Sequence, residues 1–386
     1  VVKQRRETGE IFRFFMRTPA EQRRIVVYAE HEGYYPYFEG LINELISRSQ
    51  GLAYVTSDPS DPVLGANNPL IAPFYIRRLL PYFLQMVNCH AFVMTLTDLH
   101  RYQLKRSRFP VHYVYLFHSL VSTHMMYRAG AFDHYDSIIC PGPRHVDEIR
   151  RHEGLYKLAA KELIPGGYYR LERVYDNYRK YESRGRVSAG APTVLIAPSW
   201  GPENVIESCG ERLTAVLLEA GFRVIVRPHP ETVKRHPGLI DALESKFRHR
   251  RAFTMERSVA RDDSLILADV LICDCSGVAL EYALGTERPV LFLDVPYKVQ
   301  NQDYGSLGIV PLELKTRPGI GILLSPDQIA HVPEEVRRLI AARSEYRSRL
   351  VKMREELVSC FGRSAAVAAD HVMNVLERSR TVQVRP

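Results

Sequence analysis

Short apolar runs alternate with longer amphipathic stretches over most of the chain. In the first half, "RIVVYAE" (24–30), "GLAYVTSD" (51–58), "AFVMTLTDLH" (91–100), "VHYVYLFHS" (111–119) and "YDSIICPG" (135–142) each read as a buried strand. Helical patterns fall between them, at "LINELISRS" and from about Arg144 to Glu153. The alternation restarts with the strands "TVLIAPSWG" (193–201), "FRVIVRPHP" (222–230), "VLICD" and "PVLFLD". Helices are expected over about 204–220 and 237–249, in a short piece from Asp263-Ser264, and at "GVALEYALG". From Ser325 onward the pattern is mostly helical. Parallel strands need a crossover between them, usually a helix. The predicted fold is therefore α/β, with two Rossmann-like domains, each a parallel sheet covered on both faces, and a helical C-terminal segment.

The segment 157–192 breaks this rhythm. It is charged and tyrosine-rich, and it ends in Ser188-Ala189-Gly190-Ala191-Pro192, a composition suited to a linker. The expected division is a basic amphipathic segment at 1–24, a first domain at 25–180, a linker at 181–192 and a second domain at 193–386. In residues 4–24, Ile11, Phe12, Phe14, Phe15 and Met16 are interleaved with arginines. Such a helix either packs on its own domain with a charged outer face or lies on an anionic membrane.

A chain of 386 residues exceeds one ordinary core, which agrees with two domains. Apolar content of 46% and charged content of 25% are globular values. No run of about 18 apolar residues is present to span a bilayer. The start, "VVKQRRETGE", is polar and basic, unlike a secretory leader, and its first residue is Val, which leaves room for a segment upstream. The cysteines, at 89, 140, 209, 273, 275 and 360, are sparse and mostly within apolar segments. That pattern suits a reduced, cytoplasmic protein, at the inner membrane face if residues 4–24 bind lipid. A net charge of +8 is compatible with anionic partners and does not choose among them.

Candidate chemistry lies where strands end. Cys273-Asp274-Cys275-Ser276-Gly277 closes a strand and opens a helix, the position where α/β sheets collect ligands. Ser276 can cap the helix, and Gly277 lets a phosphate approach the unpaired N–H groups. Glu281, one turn on, can reach back to a ribose. Asp274 completes this set. Two cysteines one residue apart point to opposite faces of an extended chain, and no second Cys or His pair lies nearby at zinc spacing, so no metal is expected. In Arg227-Pro228-His229-Pro230 the prolines stiffen a turn that holds a cation and an imidazole at a strand end, suited to phosphate. His118 ends an apolar strand in the first half and is a candidate base, with His124 as competitor. Glu32 and Gly33 lie in the loop after the first strand and, with His124, are candidates for the acceptor side. Each of these features also has an ordinary structural reading as a cap, turn or loop residue.

Taken in order, these pieces resemble the CDP-glycerol glycerophosphotransferase family, of the teichoic-acid polymerase type. The residues "DDSLILADVLICDCSGVALEYALGTERPVLFLD" from Asp262 follow that family's C-terminal motif in order and spacing. Arg227 to Pro230 match its basic-x-His-Pro turn, and Gly167-Tyr168-Tyr169-Arg170 echo its GYPR element. Phe117-His118-Ser119 and Glu30-His31-Glu32-Gly33-Tyr34 match its N-half histidine and first-strand loop more loosely. The resemblance spans roughly residues 25–310. It implies a GT-B arrangement, two Rossmann-like domains facing across a cleft, with the nucleotide mainly on the second. It implies transfer of a polyol phosphate from a CDP-activated donor to a polyol-phosphate or glycan acceptor, with no cofactor and no bound metal. His118 then maps to the base and His229 to the donor phosphates, with Arg227 beside it. The sequence departs from the family where its second motif serine is Gly277, its motif aromatic is Cys275, and its HGTP element is Ser119-Leu120-Val121.

Three other readings share some of these features. A nucleotide-sugar glycosyltransferase with a CMP-, UDP- or CDP-sugar would use the same fold and second-half logic. A nonhydrolysing nucleotide-sugar epimerase would want more carboxylates at the site. A nucleic-acid binder would want a basic stripe with interleaved aromatics, which only residues 4–24 approach, so no nucleic acid is expected.

Overall fold

Every apolar run named above forms a strand, and four further strands join them. The computed structural model describes residues 2–185 and 190–383, except for the side chains of residues 2–6 and 380–383. In the first half lie β1 (Ile25–Ala29), β2 (Leu52–Thr56), β3 (Ile71–Tyr75), β4 (Ala91–Met94), β5 (His112–Leu116), β6 (Ser137–Cys140) and β7 (Glu162–Pro165). They pair in parallel in the order β3-β2-β1-β4-β5-β6-β7. The second half holds β8 (Thr193–Ile196), β9 (Arg223–Val226), β10 (Phe253–Met255), β11 (Val270–Cys273), β12 (Val290–Leu293) and β13 (Gly321–Leu324). Their order is β10-β9-β8-β11-β12-β13, again all parallel. Each sheet therefore starts at a central strand, builds to one side, and then crosses to the other.

The chain divides into two units. One contains the residues up to His118, Tyr127–Tyr169 and those from Val358 on; the other contains Ser119–Met126 and Arg170–Leu357. The sequence reading drew contiguous domains at 25–180 and 193–386. The structure instead gives the helix Tyr169–Ser183, from Arg170 on, to the second unit, and the helix Ser364–Gln383 to the first. Part of the expected linker, 186–189, lies outside the described residues.

Packing explains both exchanges. Ala368, Ala369, Val372 and Val375 of the C-terminal helix sit in one core with Ile25, Val27 and Leu41 of the first unit. At the start of the helix Tyr169–Ser183, the buried Arg170 pairs with Asp262 and approaches Glu281 at 3.8 Å. Arg173 adds a second contact to Asp262 at 3.2 Å. A buried guanidinium is tolerated only with such partners.

The N-terminal helix Val2–Met16 packs on its own unit. Phe14 is fully buried, with ring centroids 5.3 Å from Phe74 and 4.9 Å from Phe83. The Glu7 carboxylate accepts the N–H groups of Arg77 and Leu79. Phe12 and Met16 are left exposed. Among the described residues, no helix is long and apolar enough to cross a membrane.

At the amino ends of the first sheet's strands, His112 and the C-terminal helix's His371 both contact the Ser137 hydroxyl, at 2.9 and 2.7 Å. Glu162 lies beside them, held twice by Arg378. His112, Glu162 and His371 are the one group among the described residues whose ligand atoms are close enough to share a metal ion. They stand at the opposite strand ends from the candidate site residues.

Burial pushes the His371 imidazole below its ordinary value, despite the opposing pull of Glu162. The unfolded chain therefore takes up a proton below about pH 6.5 that the folded chain resists. Stability is expected to fall as pH drops from about 7 to about 5. His371→Asn should flatten that slope in thermal unfolding followed by circular dichroism; an unchanged slope would count against the assignment. Asp262→Ala should cost about 3–5 kcal/mol in urea unfolding, because it leaves Arg170 buried without its closest carboxylate. A loss below about 1 kcal/mol would show that the pair does not hold the unit together.

Candidate functional site

In the second sheet, β8 and β11 are neighbours whose following segments diverge, one toward β9 and the other toward β12. A crevice at the carboxyl ends of two such strands is where an open α/β sheet binds ligands. Asp274 follows β11 directly, and its Oδ1 accepts the Ser199 N–H of the loop after β8 at 2.7 Å. Burial raises the Asp274 carboxyl above its ordinary value. Its place in the structure is a brace between the two loops.

Ser276 follows, at φ −130° and ψ 144°, in the cap position of the helix Gly277–Thr286. Its hydroxyl makes no cap hydrogen bond. The first-turn N–H groups and this hydroxyl thus remain unengaged with each other. Gly277 opens the helix, and a Cβ there would run into the Ser119 hydroxyl and come within 3.0 Å of Val121 Cγ1. Ser119 thus occupies the space that a side chain at 277 would need. Ser119 places a hydroxyl against the position from which the 277 side chain is missing.

The segment Ser119–Met126 is anchored within the second unit. The Ser122 N–H and hydroxyl both donate to Glu313 Oε1, at 2.9 and 3.1 Å. His124 is buried, with Nε2 3.2 Å from the Ile309 carbonyl and its own carbonyl accepting from Asn301. The structure thus corrects the assignment of His124 to the acceptor side, since this ring packs inside its own unit. Cys273 and Cys275 are buried as well, and burial pushes the Cys275 thiol up to about 12. Both behave as small apolar residues.

Two further assignments change. Arg227 is buried, and its guanidinium donates to the Ser264 hydroxyl at 3.1 Å and the Val259 carbonyl at 2.9 Å. It braces the interior of the unit and does not stand open to a phosphate. Glu281 is 5% exposed and turned toward Arg170, which gives it a part in the buried ion cluster. His229 does lie at a strand end. Its Nδ1 accepts the Glu231 N–H at 3.1 Å, capping the helix Pro230–Arg235. A neutral imidazole whose Nδ1 accepts carries its proton on Nε2, so the second ring nitrogen of His229 is a donor.

Sequence reasoning passed over Trp200 and Lys298. Trp200 lies in the loop after β8, with its ring 6.1 Å from that of His229. The Lys298 ammonium sits 3.8 Å from the Trp200 ring centre. A usable signal was present: the chain's single tryptophan follows the strand at the switch point.

In the first unit, His118 lies two residues beyond β5. Its ring is surrounded by Tyr34, Tyr37 and Tyr127, with centroids at 5.6, 6.3 and 6.0 Å. The Tyr115 hydroxyl is 3.4 Å from its Nδ1, and burial holds that phenol well above its ordinary value, hence protonated. The loop after β1 meets the same cluster, because Tyr34 also contacts His31 at 4.7 Å. Within that loop His31 Nδ1 accepts the Gly33 N–H at 3.1 Å, and the Glu32 N–H donates to Asp58. Glu32 and Gly33 thus shape the loop through their backbone groups, and Tyr34 brings it to His118.

Comparison with known proteins agrees with the two-sheet α/β fold. Over 98% of this chain and 95% of the other, the fold matches the wall teichoic acid polymerase TagF, with a TM-score of 0.62 and 15% identity. A histidine-to-asparagine variant of that polymerase, soaked with CDPG, matches with the same score at 14% identity. The α,α-trehalose 6-phosphate synthase of Burkholderia multivorans matches over 94% of this chain with a TM-score of 0.51 and 10% identity. A sequence comparison with curated proteins gives no match. The model of the CDP-glycerol:poly(glycerophosphate) glycerophosphotransferases matches residues 11–305, most of the chain, and the protein belongs to that family.

Proposed function

We propose that this protein transfers glycerol phosphate from CDP-glycerol to a hydroxyl of a teichoic-acid-type acceptor, and that protein groups meet the charge of the transfer without a metal ion. The observation that carries this reading is the switch point of the second sheet, where Ser276, whose hydroxyl makes no cap bond, and the N-terminus of Gly277–Thr286 follow the Asp274–Ser199 brace. Family membership supplies the donor. In the transfer, the acceptor oxygen attacks the phosphorus that bears glycerol. The bond from that phosphorus to the bridging oxygen breaks, and CMP leaves with the electron pair. The His229 Nε2–H and the helix N-terminus are suited to the charge that develops on the leaving phosphate. Asp274 holds the loop of Ser199 and Trp200 in place, and Glu281 holds Arg170.

His118 receives the acceptor proton in this reading. That requires the Nδ1–H to donate to the Tyr115 oxygen, which puts the ring's lone pair on Nε2. The surrounding tyrosines suit this role by fixing the ring. For peripheral contact with an anionic membrane, the supporting feature is the exposed pair Phe12 and Met16 beside Arg13 and Arg17.

His118→Ala should lower turnover by about 10²–10⁴ and leave CDP-glycerol affinity unchanged by calorimetry. Unaltered turnover would remove His118 from the mechanism. If CDP-glycerol does not bind at all while a CMP- or UDP-sugar does, the sugar-transferase reading replaces this one. Gly277→Ala should weaken donor binding by forcing Ser119 aside, and adding Ser119→Ala should restore much of it. The coupling in that double-mutant cycle is expected to exceed about 1 kcal/mol. Simple additivity would show that the two positions do not share one space.

A further inference from the structure

Lys298 is half-buried in the second unit, and no carboxylate pairs with it among the described residues. Its ammonium faces the Trp200 ring at 3.8 Å, and its stem runs along Gly201, whose ideal Cβ position is 3.7 Å from Lys298 Cβ and Cγ. Gly201 has φ +133°, a conformation open essentially to glycine alone. Its carbonyl is held by the Asn204 side chain at 2.8 Å. The platform under the ammonium is therefore fixed by backbone geometry. Arg235 also lies over Trp200, at 4.7 Å, but Glu231 pairs with it at 2.9 Å and also meets Lys234 at 3.3 Å. The charges facing this corner are thus the neutralised Arg235–Glu231 pair, the His229 ring and Lys298 itself.

An ammonium removed from water without a carboxylate is unfavourable, and a ring face compensates only part of that loss. An arriving anion would complete the site. Trp200 follows the strand at the sheet's switch point, in the loop that Asp274 braces, and the His229 ring lies beside it at the neighbouring strand end. We propose that Lys298, seated on Trp200, is the cation that meets the diphosphate of the nucleotide donor, the part the sequence suggested for Arg227. This inference rests on the donor reading above in naming the ligand as a nucleoside diphosphate; the cation site itself does not depend on which base or group the donor carries.

Burial pushes the Lys298 ammonium down to about 8, aided by Arg235 and opposed by Glu231. The charge is present below that value and lost above it. Donor affinity should therefore fall about tenfold between about pH 7 and about pH 9, a range where the diphosphate diester of CDP-glycerol does not titrate. Binding can be followed through the fluorescence of Trp200, the only tryptophan in the chain. The titrations would use full-length protein with CDP-glycerol, and then CDP and UDP.

Lys298→Met should weaken binding about 10- to 100-fold and abolish the pH step. Lys298→Arg should keep the affinity and also remove the step, which a merely structural lysine would not do. Wild-type affinity with an unchanged pH profile in Lys298→Met would overturn the proposal and leave the donor reading standing. Failure of CDP-glycerol with Lys298-dependent binding of UDP would support the cation site and sink the donor assignment. Failure of all three ligands on the wild type would overturn both.

Discussion

The buried Arg170 guanidinium, set between Asp262 and Glu281, is the interaction on which the second unit most depends. It joins three stretches that are remote in sequence: the helix Tyr169–Ser183, the start of the helix Asp263–Leu267, and the helix Gly277–Thr286. Glu281 is one turn inside the last of these. The helix whose N-terminus forms the candidate phosphate turn is therefore fixed in rotation by a charge pair that water cannot screen. Such a cluster is a weak source of net stability but a strict one, because removing any partner leaves the others buried and unpaired. The motif residues Arg170, Asp262 and Glu281 acquire a common physical reason, which is to hold one helix end in one orientation.

A second constraint acts at the mouth of the sheet. Asp274 ties the loop after β11 to the loop after β8, and it does so from a fully enclosed position where its carboxylate is hard to ionise. A buried hydrogen bond such as that from the Ser199 N–H to Asp274 Oδ1 imposes geometry on both loops. Ser276, by contrast, keeps its hydroxyl out of the cap. The same short turn thus contains one side chain committed to the scaffold and one that makes no cap bond. Gly277 belongs to neither class. Its missing side chain makes room for Ser119 from the segment after β5. Two positions far apart in sequence thus share one space, which only packing shows.

Much of this architecture was legible in the sequence, and the strands that were missed share one cause. The nine strands read from apolar runs include every interior strand of both sheets. The four that were missed, β3, β7, β10 and β13, are the four edge strands. An edge strand has a neighbour on one side only and is partly open to water, so its sequence need not be a continuous apolar run. β7 carries Glu162 and Pro165, β3 carries Pro73, and β13 begins at Gly321. Prolines and charges of this kind suit an edge and argue against an interior strand. The exchange of helices between the two units was illegible for another reason. Which core an amphipathic helix joins depends on long-range packing, and periodicity reports only that it has an apolar face.

The assignment of charged residues shows the same limit more sharply. Sequence proximity to a motif favoured Arg227 as a phosphate ligand, while Lys298 fell in a loop between elements. The structure reverses their circumstances, and the chemistry of the two side chains explains why. A guanidinium cannot shed its proton at any accessible pH, so a buried arginine must be paired or hydrogen-bonded in the folded state. Arg170 has Asp262, Arg227 has Ser264 and the Val259 carbonyl, Arg288 has the Ile266 carbonyl, and Arg354 has Glu287 and the Leu284 carbonyl. A lysine can be held half-buried without a carboxylate because partial loss of its proton relieves the charge. That freedom lets Lys298 rest on the Trp200 ring with no carboxylate paired to it among the described residues, where each of these arginines has a carboxylate or a hydrogen-bond acceptor.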